Sequence, residues 1–114
     1  QVIWAGLPSS PWYERAQKYL PKGPGAVVGF TLKDADLEQT RTFVDALQLH
    51  SNVANIGDVR SLVIHPASTT HSQLSEEELE AIGVSKNFVR LAVGIENIDD
   101  IIADLELGFA TLNA

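Results

Sequence analysis

Arg90 is the residue whose type and setting say most about chemistry. It sits in Phe88-Val89-Arg90-Leu91-Ala92-Val93-Gly94-Ile95, a run with period-two alternation. Successive side chains on a strand point to opposite faces, so Val89, Leu91, Val93 and Ile95 share the face that helices can bury. Phe88, Arg90, Ala92 and Gly94 then share the other. An arginine flanked by alanine and glycine has room around its guanidinium, which suits a small anion such as a carboxylate held by two parallel N–H bonds. A solvent-facing or ion-paired arginine satisfies the same pattern, and both readings stand on the alternation alone.

Other constellations lack what their chemistry requires. Gly23 and Gly25 precede a strand and Gly29 falls within it, whereas a phosphate-cradling glycine loop joins a strand to a helix N-terminus. His65 and His71 are six residues apart with Pro66 between them and no third ligand in sight, which argues against zinc. Ser68 and His71 could be drawn into a hydrolase triad with an aspartate, but the nucleophile-elbow glycines are missing. There is no cysteine, hence no disulfide, thiolate nucleophile or thiolate metal ligand. Lys18, Lys22, Lys33 and Lys86 fall in turns or at exposed helix positions.

Positioning Arg90 requires a sheet and something to cover it. Residues 26–32 and 61–65 read as two further strands, the second ended by Pro66. Ser10-Pro11 reads as the cap and first position of a helix that Pro21 stops. Asp34 or Asp36 caps a second helix running to about His50, with Leu37, Val44 and Leu47 on its apolar side and Phe43 beside them. Ser75 and Glu78 form a capping box opening a short helix that stops at Gly83. Asn97 caps the last helix, with Asp99 and Asp100 in the first turn where the helix dipole favours them. There Ile98, Ile101, Ile102, Leu105, Phe109 and Leu112 recur at three- and four-residue intervals, a stripe that must cover a sheet. The expected fold class is α+β, helices packed on one face of a small sheet.

The 114 residues suffice for one domain. A net charge of −7, with only eight scattered Lys and Arg, argues against nucleic-acid binding. Glu76, Glu77, Glu78 and Glu80, and then Asp99, Asp100, Asp104 and Glu106, read as solvated helix faces. No run approaches the roughly 18 apolar residues of a membrane span, so no membrane partner is expected. Absent cysteine fits a reducing cytosol, and a cytoplasmic location is expected. The chain opens on Gln1 and contains no methionine, which suggests excision from something longer.

Three ordered segments carry a resemblance. They are Ser61-Leu62-Val63-Ile64-His65-Pro66-Ala67-Ser68-Thr69-Thr70-His71, then Leu74-Ser75-Glu76-Glu77-Glu78, then Val89-Arg90-Leu91-Ala92-Val93-Gly94-Ile95-Glu96. Together they resemble the C-terminal domain of the Cys/Met-metabolism family of pyridoxal-phosphate enzymes. Gly6-Leu7-Pro8-Ser9-Ser10-Pro11 and Lys18-Tyr19-Leu20-Pro21-Lys22-Gly23 are most similar to its O-acetylhomoserine sulfhydrylase branch.

The resemblance implies a fold-type I architecture in which residues 1–114 are one small C-terminal domain, an antiparallel sheet with helices on one face. It implies that Arg90 grips the α-carboxylate of an amino-acid substrate. Asn55 occupies the position of a family serine near that carboxylate, Arg60 stands where relatives carry glutamate, and Thr70 lines the active-site mouth or serves as a turn residue. Pyridoxal phosphate, its Schiff-base lysine and its phosphate contacts are implied for a large domain that nothing here matches. No cofactor and no activity are therefore expected of these residues alone. Homo-oligomers are usual in the family. A free-standing binding or regulatory module with the same fold is the competing reading.

Overall fold

The computed structural model describes residues 1–113. The chain runs through β1 (Val2–Ile3), α1 (Tyr13–Tyr19), β2 (Val27–Thr31), α2 (Leu37–Asp45), β3 (Ser51–Asn52) and β4 (Leu62–Ile64). A 3-10 turn at Pro66–Ser68 follows, then α3 (Glu76–Ala81), β5 (Phe88–Ala92) and α4 (Ile98–Leu112). The five strands form one sheet in the order β1-β2-β5-β4-β3. Every pairing is antiparallel except β3 with β4, which is parallel, so the antiparallel sheet has a parallel edge. The two-residue edge strands β1 and β3 are too short to show a periodicity and went unread in the sequence.

The local signals that open helices behave as expected. Asp36 accepts from the amide of Gln39, whose side chain accepts from the Asp36 amide in return. Ser75 and Glu78 form the same reciprocal pair. Asn97 accepts from the amide of Asp99. The first helix starts at Tyr13 rather than Pro11, because the Ser10 hydroxyl takes the Trp12 amide and the chain makes a turn first.

The core lies between one sheet face and α2 with α4. Leu32, Phe43, Val44, Val63, Val89 and Leu91 fill it. Phe43 is fully buried, edge-on to Phe30 at 5.9 Å and to Phe109 at 5.0 Å.

Four expectations need correction. The second helix ends at Asp45, not near His50, because the next free amides donate to a carboxylate instead of to helix carbonyls. That carboxylate is Asp104, only 4% exposed and so no part of a solvated face. It accepts from the amides of Gln48 (2.7 Å), Leu49 (2.9 Å) and His50 (3.0 Å), and meets His50 Nδ1 at 2.6 Å. Anchoring that clamp turns α4, which buries Ile101, Asp104 and Gly108 while Ile98, Ile102 and Phe109 stay exposed. Finally, β5 ends at Ala92, and Ile95, expected on the buried face, is 83% exposed. Among the described residues no helix is long and apolar enough to cross a membrane.

Candidate functional site

Strand β5 carries Arg90 between two neighbours, opposite Gly29 of β2 and Ile64 of β4. The core face of β5 holds Val89 and Leu91, as the alternation requires, so Arg90 stands on the face away from α2 and α4. Its side chain is only partly satisfied. Nη2 donates to the Asn55 carbonyl at 3.4 Å, a long bond, and Nε is buried with no partner. Among the described residues no carboxylate lies within ion-pair distance of it. A buried, unpaired guanidinium donor is costly, and a planar anion is the ligand that satisfies two such donors at once.

The room expected over Gly94 is not open. A side-chain carbon there would fall 2.3 Å from the Val59 carbonyl oxygen and 2.5 Å from the Arg60 carbonyl carbon. A loop, residues 53–60, crosses the end of β5 and fills that space. The loop is tied down at its far end by groups that sequence reasoning quoted without giving them a role. The Glu96 carboxylate accepts from the Ser61 amide at 2.7 Å and from the Ser61 hydroxyl at 2.9 Å. Ser61, fully buried, in turn accepts from the Gly94 amide at 2.9 Å, while the Ile95 amide donates to the Val59 carbonyl at 2.9 Å. The Ser61 amide, more than any other group, holds the Glu96 carboxyl below the usual range.

Asn55 reaches Arg90 through its backbone carbonyl; its side chain turns back to accept from the Ile56 amide. Thr70 is exposed in a turn, with its hydroxyl 2.9 Å from His71 Nδ1, and no hydrogen bond links it to Arg90 or Asn55. Arg60 points outward, 65% exposed, and pairs with Asp58 at 3.2 Å.

The histidines are accounted for structurally. His65 Nε2 must carry its proton, because its partner is the Lys86 carbonyl at 2.6 Å, which can only accept. Nδ1 is then the acceptor for the Ser68 hydroxyl at 2.9 Å. Burial, above all, pushes the His65 pKa down. The serine that was drawn beside His71 thus serves His65, and among the described residues no acidic side chain hydrogen-bonds to either ring. No three metal-ligating side chains gather among the described residues.

The five-stranded sheet with α2 and α4 on one face has the fold of solved fold-type I pyridoxal-phosphate enzymes, which it matches over 96–100% of the chain. Residues 1–110 match the family described as Cys/Met metabolism PLP-dependent enzyme, and the chain belongs to that family. It is 56% identical over 112 residues to an O-acetyl-L-homoserine sulfhydrylase of Corynebacterium glutamicum, covering 98% of this chain and 25% of that protein. Identity to O-acetyl-L-homoserine sulfhydrylase 1 of Thermus thermophilus is 50% over 113 residues, covering 96% and 27%. The crystal structure of cystathionine gamma-lyase from Lactobacillus plantarum complexed with L-serine superposes with a TM-score of 0.87 at 32% identity, covering 100% and 29%. The chain spans about a quarter of the length of the curated relatives it matches.

The residues present do not by themselves fit pyridoxal phosphate. A Schiff-base lysine needs an apolar pocket or a cationic neighbour to lose its proton. All four lysines here are exposed, Lys18 against the Tyr19 ring and Lys86 3.9 Å from Glu76. No step of chemistry runs through the cofactor on this chain.

Proposed function

We propose that the chain is the C-terminal small domain of an O-acetylhomoserine sulfhydrylase-like enzyme, and that it binds the α-carboxylate of the amino-acid substrate. The complete enzyme replaces the acetate of O-acetyl-L-homoserine with sulfide or a thiol, giving homocysteine or methionine. Pyridoxal phosphate, held by the remaining polypeptide, supplies the electron sink. A cytoplasmic homo-oligomer is the expected setting. This chain's share is recognition: Arg90 donates two parallel N–H bonds to the carboxylate, and the loop carrying Asn55 borders it. Thr70 lines the mouth only if the missing domain brings the substrate toward the 69–74 turn.

One observation carries the reading, the buried Nε of Arg90 that has no partner. A charge-assisted contact of this kind contributes roughly 1.5–3 kcal/mol. Lysine keeps the charge but loses the planar two-point grip. In the complete polypeptide, Arg90→Lys is therefore expected to lower kcat/KM for the amino-acid substrate by roughly tenfold to a hundredfold. Cofactor absorbance should stay unchanged. Arg60→Lys, on the exposed pair with Asp58, is the control and should have little effect. Intact kinetics for Arg90→Lys beside crippled kinetics for Arg60→Lys would refute the assignment.

A further inference from the structure

We infer that Glu96 is a positioning residue for the carboxylate site, because its clasp on Ser61 fixes the 53–60 loop against the guanidinium of Arg90. The inference rests on the reading of Arg90 given above.

The loop runs from β3 to β4, and its far end carries an anchor that its start lacks. Its start is held by strand pairing, Ser51 opposite Leu62 and Asn52 opposite Val63. Its end runs into β4, where Leu62 pairs with Ser51 and with Ala92 of β5, and side chains add a further hold at Ser61. Both oxygens of Glu96 are used there, one on the Ser61 amide and one on the Ser61 hydroxyl. The hydroxyl relays the hold to the Gly94 amide, and the Ile95 amide takes the Val59 carbonyl beside it. Only a glycine at position 94 permits this approach, since any side chain would meet the Val59 carbonyl. Loop and strand end are thereby joined into one rigid corner.

The consequence falls on Arg90. Its guanidinium donates to the Asn55 carbonyl, which belongs to the same loop. Asn55 itself is exposed, and the Gly57 turn beside it adopts a positive φ of 82°, so local packing contributes little to holding it. Removing the clasp leaves the Val59–Ile95 bond and the β4 pairing but loosens the corner between them, so the carbonyl that aims Nη2 can shift. A bidentate grip depends on the plane of the guanidinium, so a swinging fork binds a carboxylate with one bond in place of two. Glu96 touches neither substrate nor reacting atoms; it acts through Arg90.

Glutamine at position 96 keeps the side chain's size but has one accepting oxygen where Glu96 uses two. In the complete polypeptide, Glu96→Gln should raise KM for the amino-acid substrate about tenfold, the size of one lost charge-assisted contact, with kcat nearly unchanged. KM for the sulfur donor should not move. The deciding measurement is the double variant. If Glu96 acts through Arg90, adding Glu96→Gln to Arg90→Lys costs little further, whereas independent effects multiply. Ser61→Ala removes the relay to Gly94 while leaving the Ser61 amide on Glu96, and should show a smaller rise in KM with the same dependence on Arg90. It serves in place of Glu96→Gln if that variant does not fold. Equal losses in the Arg90→Lys and native backgrounds, or parallel changes in kcat and in KM for both substrates, would overturn the inference. Native kinetics for Arg90→Lys alone would instead overturn the reading on which it rests.

Discussion

Replacing Asp104 by asparagine probes the clamp that stops α2 and seats α4. The carboxylate accepts three amide hydrogens and meets the His50 ring, at 2.6 to 3.0 Å. Burial pushes its pKa up, but the His50 ring and the amides of Leu49, His50 and Gln48 outweigh burial and hold it at about 2. Against an ordinary value near 3.8 the difference corresponds to about 2 kcal/mol of stability. Asparagine forfeits that and turns an NH2 group toward backbone donors, so the total loss at neutral pH should be about 3 kcal/mol. For a domain of this size that is a fall in Tm of about 10 °C or more. The folded pKa lies below the unfolded one, so the unfolded chain takes the proton first as pH falls. The native advantage is therefore complete above about pH 4 and should shrink by about 2 kcal/mol on approaching pH 2. Urea melts of native and Asp104→Asn chains, followed by circular dichroism from pH 7 to pH 2, measure both quantities. Identical midpoints at neutral pH, or a difference that stays constant down to pH 2, would show that the clamp stabilises nothing.

Two further outcomes follow from the core. Gly108→Ala should destabilise by about 1–2 kcal/mol despite alanine's better helix propensity. The added carbon would come within 2.7 Å of the Phe43 ring, which Phe30 and Phe109 keep from moving; a raised Tm would contradict this. His65 should carry its single proton on Nε2 when neutral, and should charge at lower pH than an ordinary histidine, as read from nitrogen-15 NMR of the ring. Its folded pKa lies below the ordinary value, so its contribution to stability is complete above about pH 6.5 and is lost as pH falls further. An Nδ1–H ring would refute the assigned hydrogen bonds.

What could be read directly from the residues was local. Helix starts at Asp36, Ser75 and Asn97 are set by side chains bonding amides two or three residues away, a distance that sequence displays. The face on which Arg90 stands follows from strand alternation, and the family from the order of short motifs. Asp104 was misjudged because its partners lie 54 to 56 residues earlier, and an acid in a helix otherwise reads as solvent-facing. One signal was present: position 104 falls three after Ile101 and four before Gly108, on the stripe that packs. The clasp of Glu96 on Ser61 spans 35 residues and closes only when β4 and β5 pair. Gly94 looked like open space beside Arg90, yet the returning loop fills it, because a missing side chain admits backbone as readily as ligand. Local bonding is written in neighbouring residues; which distant groups meet, and so which donors of Arg90 remain free, is decided only when the sheet and its covering helices assemble.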